Sequence, residues 1–101
     1  MHHAKGKDIR GIAHLFEAIL SLETEDECSR FLDDLCTIAE LQALSQRMEV
    51  VRMLDGHAKY HEISEQTGAS TATISRVNRC LMYGAGGYRL VLDKQKKDGD
   101  E

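Results

Sequence analysis

Residues 67–80 read TGASTATISRVNRC. One glycine opens the stretch, small polar residues follow, and Ile74 and Val77 recur at helical spacing. Two short helices that cross at a tight turn need such a glycine, because the turn takes a left-handed backbone conformation. They also need apolar residues on both sides to fix the crossing. Ile63 stands five residues before Gly68, and Ile74 and Val77 stand six and nine after it. Ser64 is small where the helices approach closely, and Ser70 or Thr71 is placed to cap the second helix. The spacing predicts a helix-turn-helix over about residues 59–82.

The second helix has an unusual outer face. Thr71, Ala72, Thr73, Ser75, Arg76, Asn78 and Arg79 are short or cationic, whereas a solvated helix favours Glu, Lys and Ala. Short side chains let a helix press into the major groove. Hydroxyls meet phosphates or bases, the Ala and Thr methyls meet thymine, and Arg reads guanine or grips phosphate. The candidate DNA-binding residues are Lys59, Tyr60, His61, Ser70, Thr71, Ala72, Thr73, Ser75, Arg76 and Arg79. The competing reading of the segment is a capped, Thr-rich surface helix.

Upstream, apolar residues at Ile9, Ile12, Leu15, Phe16, Ile19, Leu20 and Leu22 predict a helix from Asp8 to Leu22. Its apolar face is too broad for a monomer's surface helix. Thr24 with Glu27, and Thr37 with Glu40, read as capping boxes. The helix after the first would turn Cys28, Phe31, Leu32 and Leu35 inward. The helix after the second would turn Leu41, Leu44, Met48, Val51 and Leu54 inward and stop near Gly56 as its left-handed end residue. A fourth helix spans about Lys59 to Thr67 with Tyr60 and Ile63 inward, and a fifth runs from about Ser70 to Met82. Gly84, Gly86 and Gly87 interrupt the chain before a short last helix through Tyr88, Leu90, Val91 and Leu92. The expectation is an all-α single domain of about six helices over residues 8–95, with flexible ends at 1–7 and 96–101 and fraying from Lys94.

A chain of 101 residues buries only a small core, and a partner often completes such a domain. It contains no proline, so helix ends fall to glycines and caps. No apolar run reaches the roughly 20 residues of a membrane span, and the N-terminus lacks the apolar core of a signal peptide. Cys28, Cys36 and Cys80 form no C-x-x-C pair, which points to reduced, packed thiols in a cytoplasm. Net charge is −4, but its distribution matters more. Glu23 to Asp34 carries six acids and one base. Lys59 to Arg89 carries four bases (Lys59, Arg76, Arg79, Arg89) against Glu62 and Glu65. So few cations per copy imply weak binding at physiological salt. A dimer doubles the contacts and reads two half-sites about one helical turn apart.

The segments LFEAILSL, FLDDLCTIAELQALSQRMEVVRML and TGASTATISRVNRCL together resemble the Trp repressor superfamily, in particular its small YerC/YecD proteins, over about residues 8–95. The resemblance implies an intertwined, all-α homodimer with a helix-turn-helix head that reads a palindromic operator in double-stranded DNA. It also implies a transcriptional regulator, in the repressor sense. The Trp repressor holds tryptophan between two arginines, with help from a threonine region of the partner chain; the matching positions are Arg47, Arg76 and Thr37. Guanidinium planes stack on an aromatic ring and pair with a carboxylate. The other reading of Arg47 is an ion pair with Glu40 or Asp34. Where the Trp repressor has glycine after the second arginine, this chain has Val77, whose branched side chain takes up indole space. The expectation is therefore no effector, or a small molecule other than L-tryptophan.

His57 and His61 lie at i, i+4 without a third ligand, so no metal is expected. No nucleophile-base pair, paired carboxylates or phosphate loop nominates an enzyme. The alternative to a DNA-binding regulator is a helical adaptor that uses the same fold without specific DNA reading.

Overall fold

The computed structural model describes residues 9–99. Those residues form α1 (Ile12–Ser21), α2 (Glu25–Leu35), α3 (Ile38–Asp55), α4 (Tyr60–Thr67), α5 (Thr71–Tyr83) and α6 (Gly87–Gly99), with no strand among them. The fold is all-α. The predicted flexible residues 1–7, and Asp8 as the start of the first helix, lie outside the described residues.

The chain divides into two compact units, residues 1–41 and 42–101. In the first, the expected caps form. The Thr24 hydroxyl accepts the Glu27 N–H at 3.1 Å, while the Glu27 carboxylate reaches past Thr24 to the Glu23 N–H at 2.8 Å. At Thr37 the exchange is reciprocal: Thr37 Oγ1 accepts from the Glu40 N–H and Glu40 Oε1 from the Thr37 N–H. These bonds satisfy N–H groups that the first helical turn leaves without partners. Inward packing of α2 is not found. Cys28 and Leu35 are exposed, Phe31 and Leu32 are half-buried, and neither α1 nor α2 contains a buried residue.

The second unit holds the core: Val50 and Val51 of α3, Ile63 of α4, Ala69 in the turn, Ile74 and Val77 of α5, and Leu92 of α6. Met48, Met53, Leu54, Leu81 and Tyr88 pack around it. Two expectations for α3 need correction. Leu44 is exposed, while Val50, outside the expected stripe, is fully buried. Val50 and Val51 are adjacent and both fully buried, so the buried face of α3 is wider than a single apolar stripe. The end of α3 also differs, because His57, not Gly56, takes the left-handed conformation, at φ 66°. The His57 N–H donates to the Leu54 carbonyl and the Ala58 N–H to the Met53 carbonyl, the paired bonds of a Schellman end. His57 thus lies outside α4, and the i, i+4 pair with His61 does not share one helix.

α6 continues to Gly99, past Lys94, where the sequence reading places the onset of fraying. Asp55 at the end of α3 ties α6 to it. Its carboxylate receives Arg89 Nη2 and Lys96 Nζ, each at 2.9 Å. Hydrogen bonds from Lys96 and then Arg89 hold the Asp55 carboxyl below its usual range. The bonds to Asp55 and Asp93 raise Arg89 further above its already high value. Arg52 Nη1 adds a 3.3 Å hydrogen bond to Gln95.

Candidate nucleic-acid interface

α4 and α5 pack against each other and are joined by Gly68, Ala69 and Ser70. Gly68 takes φ 75°, the left-handed conformation that glycine adopts without steric cost. Ala69 is buried, so its peptide groups need partners inside the protein. Thr67 Oγ1 accepts the Ala69 N–H at 3.1 Å and donates to the Ile63 carbonyl at 2.7 Å. Ser64 Oγ donates to the Ala69 carbonyl at 2.9 Å. Ser64 therefore does more than leave room for close approach, because its hydroxyl closes the turn.

Ser70 caps α5, its hydroxyl accepting the Thr73 N–H at 3.1 Å and donating to Thr73 Oγ1 at 3.1 Å. Thr73 is therefore a local partner of the cap as well as an expected DNA contact. Ile74 and Val77 anchor one face of α5 in the core. On the other face Thr71, Ala72, Arg76 and Arg79 are exposed, and Ser75 is half-buried. Thr71, Ser75 and Arg79 recur every four residues and so share that face. Among the described residues, neither Arg76 nor Arg79 takes part in an ion pair. At the start of α4, Lys59, Tyr60 and His61 are exposed, while Glu62 turns its carboxylate to the Lys59 N–H at 2.8 Å. Tyr60, expected to face inward, is 38% exposed.

The charge expected across this region needs one revision. Arg89 is bound by Asp55 and by Asp93 at 3.2 Å, so it serves the α3–α6 junction. Lys59, Arg76 and Arg79 remain as the exposed fixed cations of the helix-turn-helix.

Of the expected effector residues, Arg76 is exposed on α5, and Thr37 and Arg47 make local bonds. Thr37 caps α3 in the first unit. Arg47 is half-buried and donates from Nε to the Ala43 carbonyl of its own helix at 3.4 Å. Among the described residues it forms no ion pair with Glu40 or Asp34. Val77 is only 1% exposed and belongs to the core. Of the three thiols, Cys28 is exposed and Cys36 and Cys80 half-buried, so full burial is not their state. No group of three His, Cys, Asp or Glu among the described residues is arranged to hold a metal ion, and no helix among them is long and apolar enough to cross a membrane.

Sequence reading missed Gln46. Its Nε2 donates to the Thr67 carbonyl at 3.1 Å, tying α3 to the turn. A glutamine within a helix carries no local signal of such a bond.

Comparison with known proteins agrees with this architecture. The family model described as Trp repressor protein matches residues 10–96. The uncharacterized protein YerC of Bacillus subtilis (strain 168) is 54% identical over 97 residues, spanning 96% of this chain and 90% of that protein. A crystal structure of a candidate Trp repressor from Staphylococcus aureus superposes with a TM-score of 0.85 at 43% identity, covering 94% of this chain and 95% of that one. A TrpR-like protein from Eubacterium eligens ATCC 27750 gives 0.83 at 52% identity, covering 87% and 91%. With a helix-turn-helix formed by α4 and α5 and a family match that runs through nearly all of its length, the chain belongs to the Trp repressor protein family.

Proposed function

We propose that this protein is a sequence-specific DNA-binding transcriptional regulator, acting as a homodimeric repressor on a palindromic operator in the cytoplasm. The observation that carries this reading is the two-faced α5. Ile74 and Val77 are locked in the core, while Thr71, Ala72, Arg76 and Arg79 stand exposed behind a capped turn. That arrangement suits entry of α5 into the major groove, with Ser70 and Thr73 at its leading end and Lys59, Tyr60 and His61 on the flanking backbone. Membership of the Trp repressor family points the same way, toward DNA binding rather than enzymatic chemistry.

Two features support the dimer. Ile19, Leu20, Leu35 and Ile38 are exposed at 48, 82, 53 and 76%, a large apolar surface for a small chain to leave in water. Three exposed cations per head also suffice for only weak binding, and a second head doubles them. The buried Val77 supports DNA binding without tryptophan, because its branched side chain takes up space that the Trp repressor's glycine leaves open.

Selection from a random duplex library at about 0.15 M salt, with and without L-tryptophan, tests the reading. A palindromic motif enriched equally in both conditions is expected. Replacing Thr71, Ser75 and Arg79 together by alanine should abolish the enrichment while leaving folding and dimerisation intact. Each lost base contact costs about 1–3 kcal/mol. A library that yields no motif sinks this function and favours the adaptor reading, to which the net charge of −4 already lends some weight.

A further inference from the structure

α3 touches the helix-turn-helix in two chemically different ways. Val50 and Val51 are buried with Ile63, Ala69, Ile74 and Val77. This contact holds the head close, but apolar burial is non-directional and tolerates small rotations. The second contact is directional. Gln46 lies four residues before Val50, one turn along the same face of α3. Its Nε2 donates to the carbonyl of Thr67, the last residue of α4, at 3.1 Å. That carbonyl belongs to the helix-end group that has no partner within the helix. It also adjoins Gly68, where the chain reverses into α5. Thr67 is fixed in turn by its own hydroxyl, through Ile63 and Ala69. The Gln46 bond is thus the directional tie between α3 and the turn.

We propose that Gln46 is a positioning residue for DNA reading: its bond to the Thr67 carbonyl sets the angle at which α5 is presented. The proposal rests on the DNA-binding function above. A lever argument shows why one hydrogen bond matters. From Thr71 to Arg79, α5 rises about 12 Å, so a tilt of about 10° moves the Arg79 end by about 2 Å. Base-edge hydrogen bonds do not survive that shift, whereas phosphate attraction, which falls off slowly with distance, does. Gln46 should thus act on specific binding and leave non-specific binding nearly unchanged.

The test compares wild type with Gln46→Met, which keeps length and neutrality but has no donor. Amide exchange is followed at Gly68 and Ala69 against Val50 and Val51, and affinity is measured for the selected operator and for mixed-sequence duplex. Exchange at the turn should quicken by about threefold to tenfold, the worth of one net hydrogen bond, with the valines unchanged. Operator affinity should fall by about the same threefold to tenfold and mixed-sequence affinity by less than about twofold, with operators of altered half-site spacing losing their disadvantage. Unchanged exchange at the turn overturns the proposal whatever the DNA results, as does an equal loss on both DNAs. If Gln46→Met fails to fold, Gln46→Leu, also lacking a donor, serves in the same comparison. A wild-type protein that selects no operator sinks the DNA-binding function and this proposal with it, an outcome that the exchange data keep distinct from failure of the bond itself.

Discussion

The two units of the chain are both helical and amphipathic, yet they use their apolar residues in opposite ways. Among the described residues, the second unit contains all seven buried core side chains and the first contains none. The cap at Thr24 and the capping box at Thr37 are both formed, as is the Ser70 cap of the second unit. Local helix signals and burial are therefore separate matters. Caps and periodicity say where a helix runs, and burial depends on what it meets. The second unit meets itself through α3, α4, α5 and α6, whereas the first unit presents Leu20 and Ile38 to solvent within a single chain.

The contrast breaks hardest at Ile74. Ile74→Ala empties a fully buried site and should cost about 2–5 kcal/mol of stability in denaturant unfolding. A cost below about 1 kcal/mol would mean that the second unit is not the stability core. Leu20→Asp probes the other side. If a second copy covers the first unit, this substitution at an 82% exposed residue should lower Tm by about 4–8 °C, the shift for about 1 kcal/mol, and abolish dimers in sedimentation. In a monomer it stays within about 0.5 kcal/mol of wild type. Next in size, Ser70→Ala removes the hydroxyl that accepts the Thr73 N–H. It should cost about 1 kcal/mol and weaken operator binding more than the same change at exposed Ser29.

The smallest effect is at the α3–α6 junction, and its sign follows from Asp55. Its carboxyl titrates below the usual value in the folded state because Lys96 and Arg89 hold the charged form. The stabilisation is therefore present above about pH 3.9, the unfolded value, and disappears as pH falls through the lower folded value. Asp55→Asn should lower Tm at pH 7 by no more than about 4 °C, and the gap to wild type should close in acid. A gap that persists below the folded value would assign the effect to packing rather than charge.

Much of the candidate interface was legible before any coordinates. Gly68 with Ile63, Ile74 and Val77 marked the turn because a left-handed residue and its flanking apolar contacts leave a fixed spacing in the chain. The cap at Ser70 and the small polar face of α5 are local as well. Arg89 was not legible, since its role depends on Asp55, 34 positions away. Nor was His57 as the left-handed residue: Gly56 beside it carries the stronger local signal, and the hydrogen bonds of the α3 end place the turn one residue later.

The sequence by itself determined that this is an all-α chain with a helix-turn-helix near its C-terminal half, because helix periodicity, caps and turn glycines act over a few residues. Only the tertiary structure decided which apolar faces are buried, which cations stay exposed, and that Gln46 reaches Thr67 across 21 positions. Those outcomes depend on which distant groups come within a few ångströms of one another, and no spacing along one helix encodes that.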